Sequence, residues 1–205
     1  MEDYLPRAFA EPGSLRDSLA GLDTRIGVRL EGEGGGEWVV HIEAGGLRVV
    51  AERRTQAAFS VIQSVRDWRG ALWEGRGGAV GRQATAIFHA DDLGAAEGSA
   101  GGLGRPPTPA VLARMDRLDG LMRMVISGCD DGEDWRIDFK LGPGEIPPEP
   151  TTTITLRAED AEALERGELN PLEAFMAGRI RVLGDVTLML QMQAIQLELE
   201  QEHRE

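Results

Sequence analysis

The stretch from Thr151 to Ile195 constrains the fold more than any other part of the chain, because nearly every local signal in it agrees. It opens with a β-branched run that ends at Leu156 and is typical of a strand. A short helix is predicted next, and Gly167 can take the left-handed conformation that ends a helix. Asn170 is then expected to cap a second short helix, with Pro171 at its first position. The stretch therefore begins as a strand followed by two short helices.

The end of the same stretch predicts one more strand and a long helix. Residues Arg179 to Leu183 alternate between polar and apolar, which is typical of a half-buried strand. Asp185 can cap the last helix. Apolar residues recur along that helix at helical spacing, namely Leu188, Met192, Ile195 and Leu199, with Met189 beside them. One face of the last helix is therefore expected to be apolar and rich in methionine.

The order of these signals resembles that of the sterol carrier protein 2 family. The matching residues are the Thr-Ile-Thr-Leu strand ending at Leu156, Leu164 with Gly167, Asn170-Pro171, Ala174-Phe175 followed by Gly178, the strand through Val182, and Gly184-Asp185. Upstream, Trp135 to Lys140 and the turn at Gly142 and Gly144 look like the family's tryptophan strand and hairpin. The resemblance covers roughly Val111 to Ile195. It implies an α+β fold in which helices cover a curved sheet and a lipid or fatty acyl chain lies between them.

The resemblance also implies which side chains line the ligand site. The expected ligand-binding residues are Phe139, Leu156, Leu164, Phe175, Met176, Val182, Met189, Met192 and Ile195. Methionine side chains are unbranched and adaptable, so a wall that contains them can close around acyl chains of different shape. The same residues would equally serve as an ordinary core, and the sequence leaves that alternative open.

The first part of the chain resembles the second in its order of strands and turns. A glycine-rich turn precedes the strand at Trp38, and another turn precedes the strand at Trp135. The match decays after Gly75, where no Asn-Pro pair and no methionine-rich helix follow. Strand-turn-Trp-strand patterns also arise by chance in α+β proteins, so the repeat and the chance pattern both stay open.

The domain organisation follows from this pattern and from one flexible stretch. Glycines and prolines crowd residues 94–109, which is typical of a connection between domains. We expect a divergent sterol-carrier-like module at residues 1–93, this linker, and a sterol-carrier-protein-2-like module at residues 110–205, arranged in tandem. The other predicted elements are a helix at 14–22, strands at 26–30, 38–42, 47–51 and 57–61, a helix at 67–75 and a helix from 108 or 109 to 121.

Charge and cysteine content restrict the class of partner and the compartment. The formal net charge is −13, which disfavours DNA, RNA and anionic headgroups as the main partner. Cys129 is the lone cysteine, which fits a reducing compartment. The first residues lack the basic and apolar regions of a secretory signal, and no window approaches the length of a membrane span. We therefore expect a cytoplasmic location and no integral membrane segment.

The residues that usually carry chemistry show no catalytic pattern. The histidines His41, His89 and His203 lie far apart and lack the spacing of a metal motif. The acidic run at 130–134 lacks the ordered alternation of a calcium-binding loop, so a solvated turn is the favoured interpretation. The sequence predicts no catalytic residue, no metal site and no cofactor.

Two functions lead after these observations, and an enzyme, which would need the two halves to enclose polar residues at their junction, comes third. The leading hypothesis is non-catalytic binding or carriage of a hydrophobic small molecule, such as a fatty acid, an acyl-CoA or a sterol-like lipid. The alternative is a scaffold or accessory assembly protein, for example in lipophilic quinone or lipid metabolism, that keeps the fold with a filled pocket. A homodimer formed through the last helix, or another protein partner at residues 198–205, would favour the alternative.

Overall fold

The computed structural model describes residues 23–43, 46–77, 109–129 and 132–202, together with residues 6 and 81. The strands are β1 (Thr24–Glu31), β2 (Gly36–Glu43), β3 (Gly46–Val50), β4 (Phe59–Ser64), β5 (Gly120–Ser127), β6 (Trp135–Leu141), β7 (Thr152–Arg157) and β8 (Arg181–Gly184). The helices are α1 (Val65–Trp73), α2 (Pro109–Met115), α3 (Ala158–Glu165), α4 (Pro171–Met176) and α5 (Val186–Glu202), and a 3-10 turn spans Arg54–Gln56. The predicted helix at 14–22 and nearly all of the predicted linker at 94–109 lie outside the described residues.

All of these strands form one eight-stranded mixed sheet in the order β3-β2-β1-β4-β6-β5-β7-β8. The pairs β1–β4 and β5–β7 are parallel, and the other neighbouring pairs are antiparallel. Helices pack on this sheet but are not interleaved regularly with its strands. The predicted α+β class is therefore confirmed.

The same connection of strands occurs twice along the chain. In the first half, β1 and β2 form a hairpin, β4 returns parallel to β1, and α1 follows. In the second half, β5 and β6 form a hairpin, β7 returns parallel to β5, and α3 follows. Trp38 and Trp135 lie in the equivalent strands β2 and β6. The repeat and the module boundaries that the sequence suggested both stay predictions.

The two halves join at a seam where β4 pairs antiparallel with β6. Two further backbone hydrogen bonds extend the seam, from the amide of Gly142 to the carbonyl oxygen of Ala58 and from the amide of Gly144 to that of Thr55. On one side of the sheet, the indole nitrogen of Trp135 donates to the carbonyl oxygen of Asp67 in α1 at 3.0 Å. The second half is thus hydrogen-bonded to the first through β6, through the turn that follows β6, and through Trp135.

Successive side chains of a strand point to opposite faces of the sheet, and in this sheet one face is mainly apolar and the other is more polar. The apolar face carries Ile126, Trp135 and Ile137, which are fully buried, and it belongs to a core cluster that also holds Val28 and Val61 of the first half. The polar face carries, among others, Arg123, Arg136 and Asp138 of the second half. A single core cluster therefore extends across the seam.

The short helices end and begin where the local signals predict. The side chain of Asn170 accepts hydrogen bonds from the amides of Leu172 and Glu173, so it caps α4. Gly167 and Gly178 adopt positive φ after α3 and α4. The carboxylate of Asp185 accepts from the amide of Thr187 and caps α5. These capping predictions are confirmed because a cap depends only on residues within one turn of it.

One predicted element is wrong in its extent. The sequence predicts a helix through residue 121, whereas α2 ends at Met115 and β5 begins at Gly120. Amides at Arg117 and Leu118 bond three residues back, to the carbonyl oxygens of Arg114 and Met115, which closes the helix in a tight turn. Leu121 then lies in β5, where it is buried. Apolar spacing alone could not distinguish a longer helix from a helix followed by a buried strand.

Candidate functional site

The main candidate site is the apolar layer between the second half of the sheet and helices α2 and α5. Leu188 of α5 is buried against Met122 of β5 and Leu141 of β6. Helix α5 approaches the sheet closely at Gly120, where a Cβ added to the glycine would lie 2.8 Å from a methyl carbon of Leu188. Glycine at this position therefore lets the helix pack directly on the start of β5.

Methionines contribute to this layer from both the sheet and the helices. Met122 lies in β5, Met115 ends α2, and Met192 projects from α5 into the same cluster. Ile195 is buried one turn further along α5, where it packs against Met115 and Leu118. We call this set the methionine layer. It comprises Met115, Leu118, Met122, Leu141, Leu188, Met192 and Ile195, and Phe59, Phe139 and Ile154 pack against it from the sheet.

The predicted ligand-binding residues are distributed over three environments. Leu156 is buried in the main core, and Leu164 packs against that core from α3. Phe139 packs against both the main core and the methionine layer, and Met192 and Ile195 belong to the methionine layer. Val182 and Met189 are half-buried. The structure thus brings Phe139, Met192 and Ile195 to one layer, with Leu156 and Leu164 on the same apolar face.

Phe175 and Met176 lie on the outer side of α4 instead. Phe175 is 43% exposed and Met176 is 78% exposed, whereas their neighbour Ala174 is completely buried. The carbonyl oxygen of Ala174 accepts hydrogen bonds from the amides of Arg179 and Ile180, which fold the following turn back over it. The small alanine therefore fixes which side of the short helix faces the protein.

Several residues of the methionine layer were not among the predicted site residues. Met115, Leu118, Met122, Leu141 and Leu188 are the missed members. Met122 could have been found from the alternation within β5, because Met122, Met124 and Ile126 share one face of that strand. Met115 and Leu118 lie with Leu112 on one side of the helix that the sequence predicts, so helical spacing marked them as an apolar face but not as part of a site.

A different site lies at the end of the first half, where a cleft of about 600 Å³ opens beside the start of α1. Its lining residues are Glu31, Gly32, Glu33, Ser64, Val65, Arg66, Arg69, Glu74 and Arg76. Carboxylates and guanidinium groups alternate there, and some form ion pairs such as Arg29 with Glu31 and Arg66 with Glu133. None of the predicted ligand-binding residues lines this cleft. Its charged lining does not suit an apolar ligand.

Charged groups on the polar face of the sheet are held in a compact network. Asp138 accepts hydrogen bonds from Arg123 at 2.9 and 2.8 Å and from Arg136 at 3.2 and 2.7 Å. Burial raises the pKa of the Asp138 carboxyl, but the hydrogen bonds from both arginines outweigh burial and hold the pKa below its ordinary value. Asp138 is therefore a permanently ionised structural group at neutral pH.

The described residues offer no metal site, because none of their histidine, cysteine and carboxylate side chains cluster in groups of three or more. Among the helices of the described ranges, none is long and apolar enough to cross a membrane.

Comparison with known proteins identifies the region that holds this layer. The sequence model of the SCP-2 sterol transfer family matches residues 103–196, which include α2, all strands of the second half and the inner turns of α5. The second half carries an SCP2-like domain. The resemblance predicted from the order of motifs is therefore confirmed.

Individual relatives match the SCP2-like domain at low identity. Sterol carrier protein 2 of Rattus norvegicus is 28% identical over 88 residues, which cover 40% of this chain and 16% of the rat protein. Hydroxysteroid dehydrogenase-like protein 2 of Xenopus tropicalis is 31% identical over 81 residues, which cover 37% of this chain and 19% of that protein. The solution structure of sterol carrier protein domain 2 of Helicoverpa armigera has 22% identity and a TM-score of 0.33, covering 42% of this chain and 72% of that one. The chain thus spans less than a fifth of either curated relative.

Proposed function

We propose that the protein binds a hydrophobic small molecule reversibly in the methionine layer and carries it without catalysing a reaction. The observation that carries the proposal is the family match at residues 103–196, which encloses every residue of that layer. The SCP2 family name refers to sterol transfer, and the layer has the apolar lining that such a ligand requires. A cytoplasmic location belongs to the same proposal.

The distribution of methionine supports a binding role for the second half rather than the first. Apart from Met1, every methionine of the chain lies between residues 115 and 192. Three of the four tryptophans, which are stiff, lie in the first half at positions 38, 68 and 73. Because methionine fills irregular space and adapts its shape, the second half is the part that would accommodate ligands of different outline.

The ligand would enter by displacement of α5 from the sheet. This helix rests on the layer through Leu188, Met192 and Ile195, while Val186 and Leu190 on its other side are exposed. Apolar ligand surface buried beneath the helix would contribute roughly 25 cal/mol per Å² before association costs. An uncharged or singly charged lipid, such as a sterol-like molecule or a fatty acid, suits this acidic chain better than the multiply anionic acyl-CoA.

A charged side chain introduced into the methionine layer tests the proposal, and the same charge introduced on the helix surface is the control. Met192 packs on the layer, whereas Gln191 beside it is exposed, so Met192→Lys adds a charge at the layer and Gln191→Lys adds the same charge on the exposed surface of α5. We expect Met192→Lys to weaken binding of a fluorescent fatty acid by about tenfold or more, and Gln191→Lys to leave it unchanged. Circular dichroism and denaturant titration of both variants establish that each remains folded.

Native mass spectrometry of the purified chain, followed by solvent extraction, provides the second readout. A co-purifying lipid near one equivalent supports carriage and identifies the ligand class. If the unmodified chain binds neither extracted lipids nor the fluorescent fatty acid, or if folded Met192→Lys binds as well as the unmodified chain, the proposal is wrong.

A scaffold role with a filled pocket is the second candidate, and one observation favours it. Leu156 is buried and Phe139 partly buried within the continuous core that joins both halves, so these side chains already have protein neighbours. A chain that binds no lipid yet retains a partner protein on purification would support this candidate. The Xenopus relative's dehydrogenase-like name does not extend catalysis to this chain, since the match covers 19% of that protein.

A further inference from the structure

Strand β8 forms one end of the sheet and presents an open edge. It pairs with β7 on its inner side, and no strand of the described ranges pairs with its outer side. Leu183 in the middle of this short strand is 69% exposed and lies on the polar face of the sheet. An open edge of this kind exposes backbone donors and acceptors that another strand can pair with.

Two further exposed apolar side chains follow β8 on α5, which packs on the apolar face of the sheet. Val186 begins the helix directly after the strand and is 45% exposed, and Leu190, one turn later on the same side, is 55% exposed. We define Leu183, Val186 and Leu190, together with the outer edge of β8, as the β8 edge surface.

The charges at the two ends of β8 are opposite and fit a symmetric partner. Arg181 begins the strand and Asp185 directly follows it, and hydrogen bonds from Thr187 hold the pKa of the Asp185 carboxyl below its ordinary value. If two copies of β8 pair antiparallel about a two-fold axis through Leu183, each Arg181 comes opposite Asp185 of the other copy. A two-fold interface requires this self-complementarity. Directly opposite residues of an antiparallel pair point to the same face of the sheet, so Arg181 of one copy and Asp185 of the other would share a face.

We propose that the β8 edge surface binds a second copy of this chain, in a dimer whose sheets join through antiparallel pairing of β8. The seam between β4 and β6 shows that strands of this fold already join two halves by antiparallel pairing. A lipid bilayer suits the surface less well, because it would leave the outer backbone groups of β8 without hydrogen-bond partners. The dimer also covers an edge that would otherwise template aggregation. The inference goes beyond the proposed function and does not depend on a ligand.

The dimer makes a geometric prediction at Leu183. Directly opposite residues in an antiparallel pair have Cα atoms about 4.5–5.5 Å apart, which is within the range of a disulfide. In a Cys129→Ser background, Leu183→Cys is therefore expected to form a disulfide between two copies under mild oxidation. Trp73→Cys in the same background is the matched control, since Trp73 is 67% exposed on α1, far along the sheet from β8.

Sedimentation velocity across a concentration series of the full chain tests the association itself. Dimer is expected for the unmodified chain, and Leu183→Asp should raise the dissociation constant by about 30-fold or more, as for a central interface residue. Trp73→Asp, which adds the same charge to an equally exposed apolar position, should leave the constant unchanged. Arg181→Glu should weaken the dimer as well, by placing like charges opposite each other.

Three results would overturn the proposal. The first is an unmodified chain that stays monomeric at every concentration, and the second is a dimer that Leu183→Asp and Trp73→Asp affect equally. The third is a dimer whose Leu183→Cys variant cross-links no faster than the Trp73→Cys control. A monomer that acquires a heterologous strand partner at β8 would likewise refute self-association while assigning the edge to another protein.

Discussion

Lys140 is a buried cation whose removal should test how the end of β6 is held. Its side chain is 1% exposed, and its ammonium nitrogen donates to the carboxylate of Asp119 at 2.9 Å. The same nitrogen donates to the carbonyl oxygens of Leu141 at 2.8 Å and Pro143 at 3.1 Å. The ammonium group therefore draws together the backbone of the turn that follows β6, and that turn is bonded across the seam to the first half.

Lys140→Met keeps most of the apolar stem and removes the donor. It deprives buried carbonyl oxygens of this partner, and each such group left unsatisfied costs about 1–3 kcal/mol. Relief from burying a charge offsets part of this loss. We therefore expect the free energy of unfolding to fall by about 2–4 kcal/mol, with Leu141 and the adjoining methionine layer loosened.

Asp119→Asn removes the ion pair with Lys140 but keeps the hydrogen bonds from Lys140 to the backbone carbonyl oxygens. The Asp119 side chain is 89% exposed, so loss of its charge should cost about 1 kcal/mol or less. Urea unfolding of both variants, followed by tryptophan fluorescence and circular dichroism, gives the two free energies. If Lys140→Met loses no more stability than Asp119→Asn, the hydrogen bonds from Lys140 to the carbonyl oxygens do not contribute to the free energy of unfolding, and the expectation is refuted.

Three further predictions follow from the fold. Asn170→Ala removes the cap of α4 and should lower the free energy of unfolding by about 1 kcal/mol, measured by urea titration against Leu172→Ala on the exposed side of the same helix. Because the folded pKa of Asp138 is depressed, its stabilisation is present above the unfolded carboxyl pKa of about 3.9 and is lost as pH falls through the folded pKa. Asp138→Asn should therefore be less stable at pH 7, with the difference from the unmodified chain closing below about pH 4; a constant difference down to pH 2 would contradict this. A fragment of residues 109–205 should fail to fold cooperatively, because β6 loses β4 and Trp135 loses α1; a sharp two-state transition of the fragment would disprove this.

Local chemistry explains which parts of the fold the sequence could predict. The caps at Asn170 and Asp185 and the left-handed glycine at 167 depend on neighbours within a few residues, and the structure has all three. The strands of both hairpins follow from alternation and glycine turns in the same way. The resemblance to the sterol carrier family combines these local signals in order, which is why it could be recognised without any long-range contact.

Long-range packing explains what the sequence could not predict. The pairing of β4 with β6 joins residues that are far apart along the chain, and no local pattern encodes which edges meet. The orientation of α4 is also set from outside, because the burial of Ala174 turns Phe175 and Met176 outward. Apolar character alone selected all of these residues as candidates, but only tertiary contacts distinguish a residue in the layer from one on the surface.

The seam also links the position of the first half to the shape of the methionine layer. Phe139 of β6 contacts both the main core and the methionine layer, so the position of β6 affects the shape of that layer. On its outer side β6 is held by β4, while α1 covers Trp135 through a hydrogen bond from the indole. The first half thus borders, through β4 and α1, a second half that contains the adaptable methionine side chains. Substitutions at the seam, such as Trp135→Phe, should therefore alter ligand affinity in the second half even though Trp135 does not belong to the methionine layer.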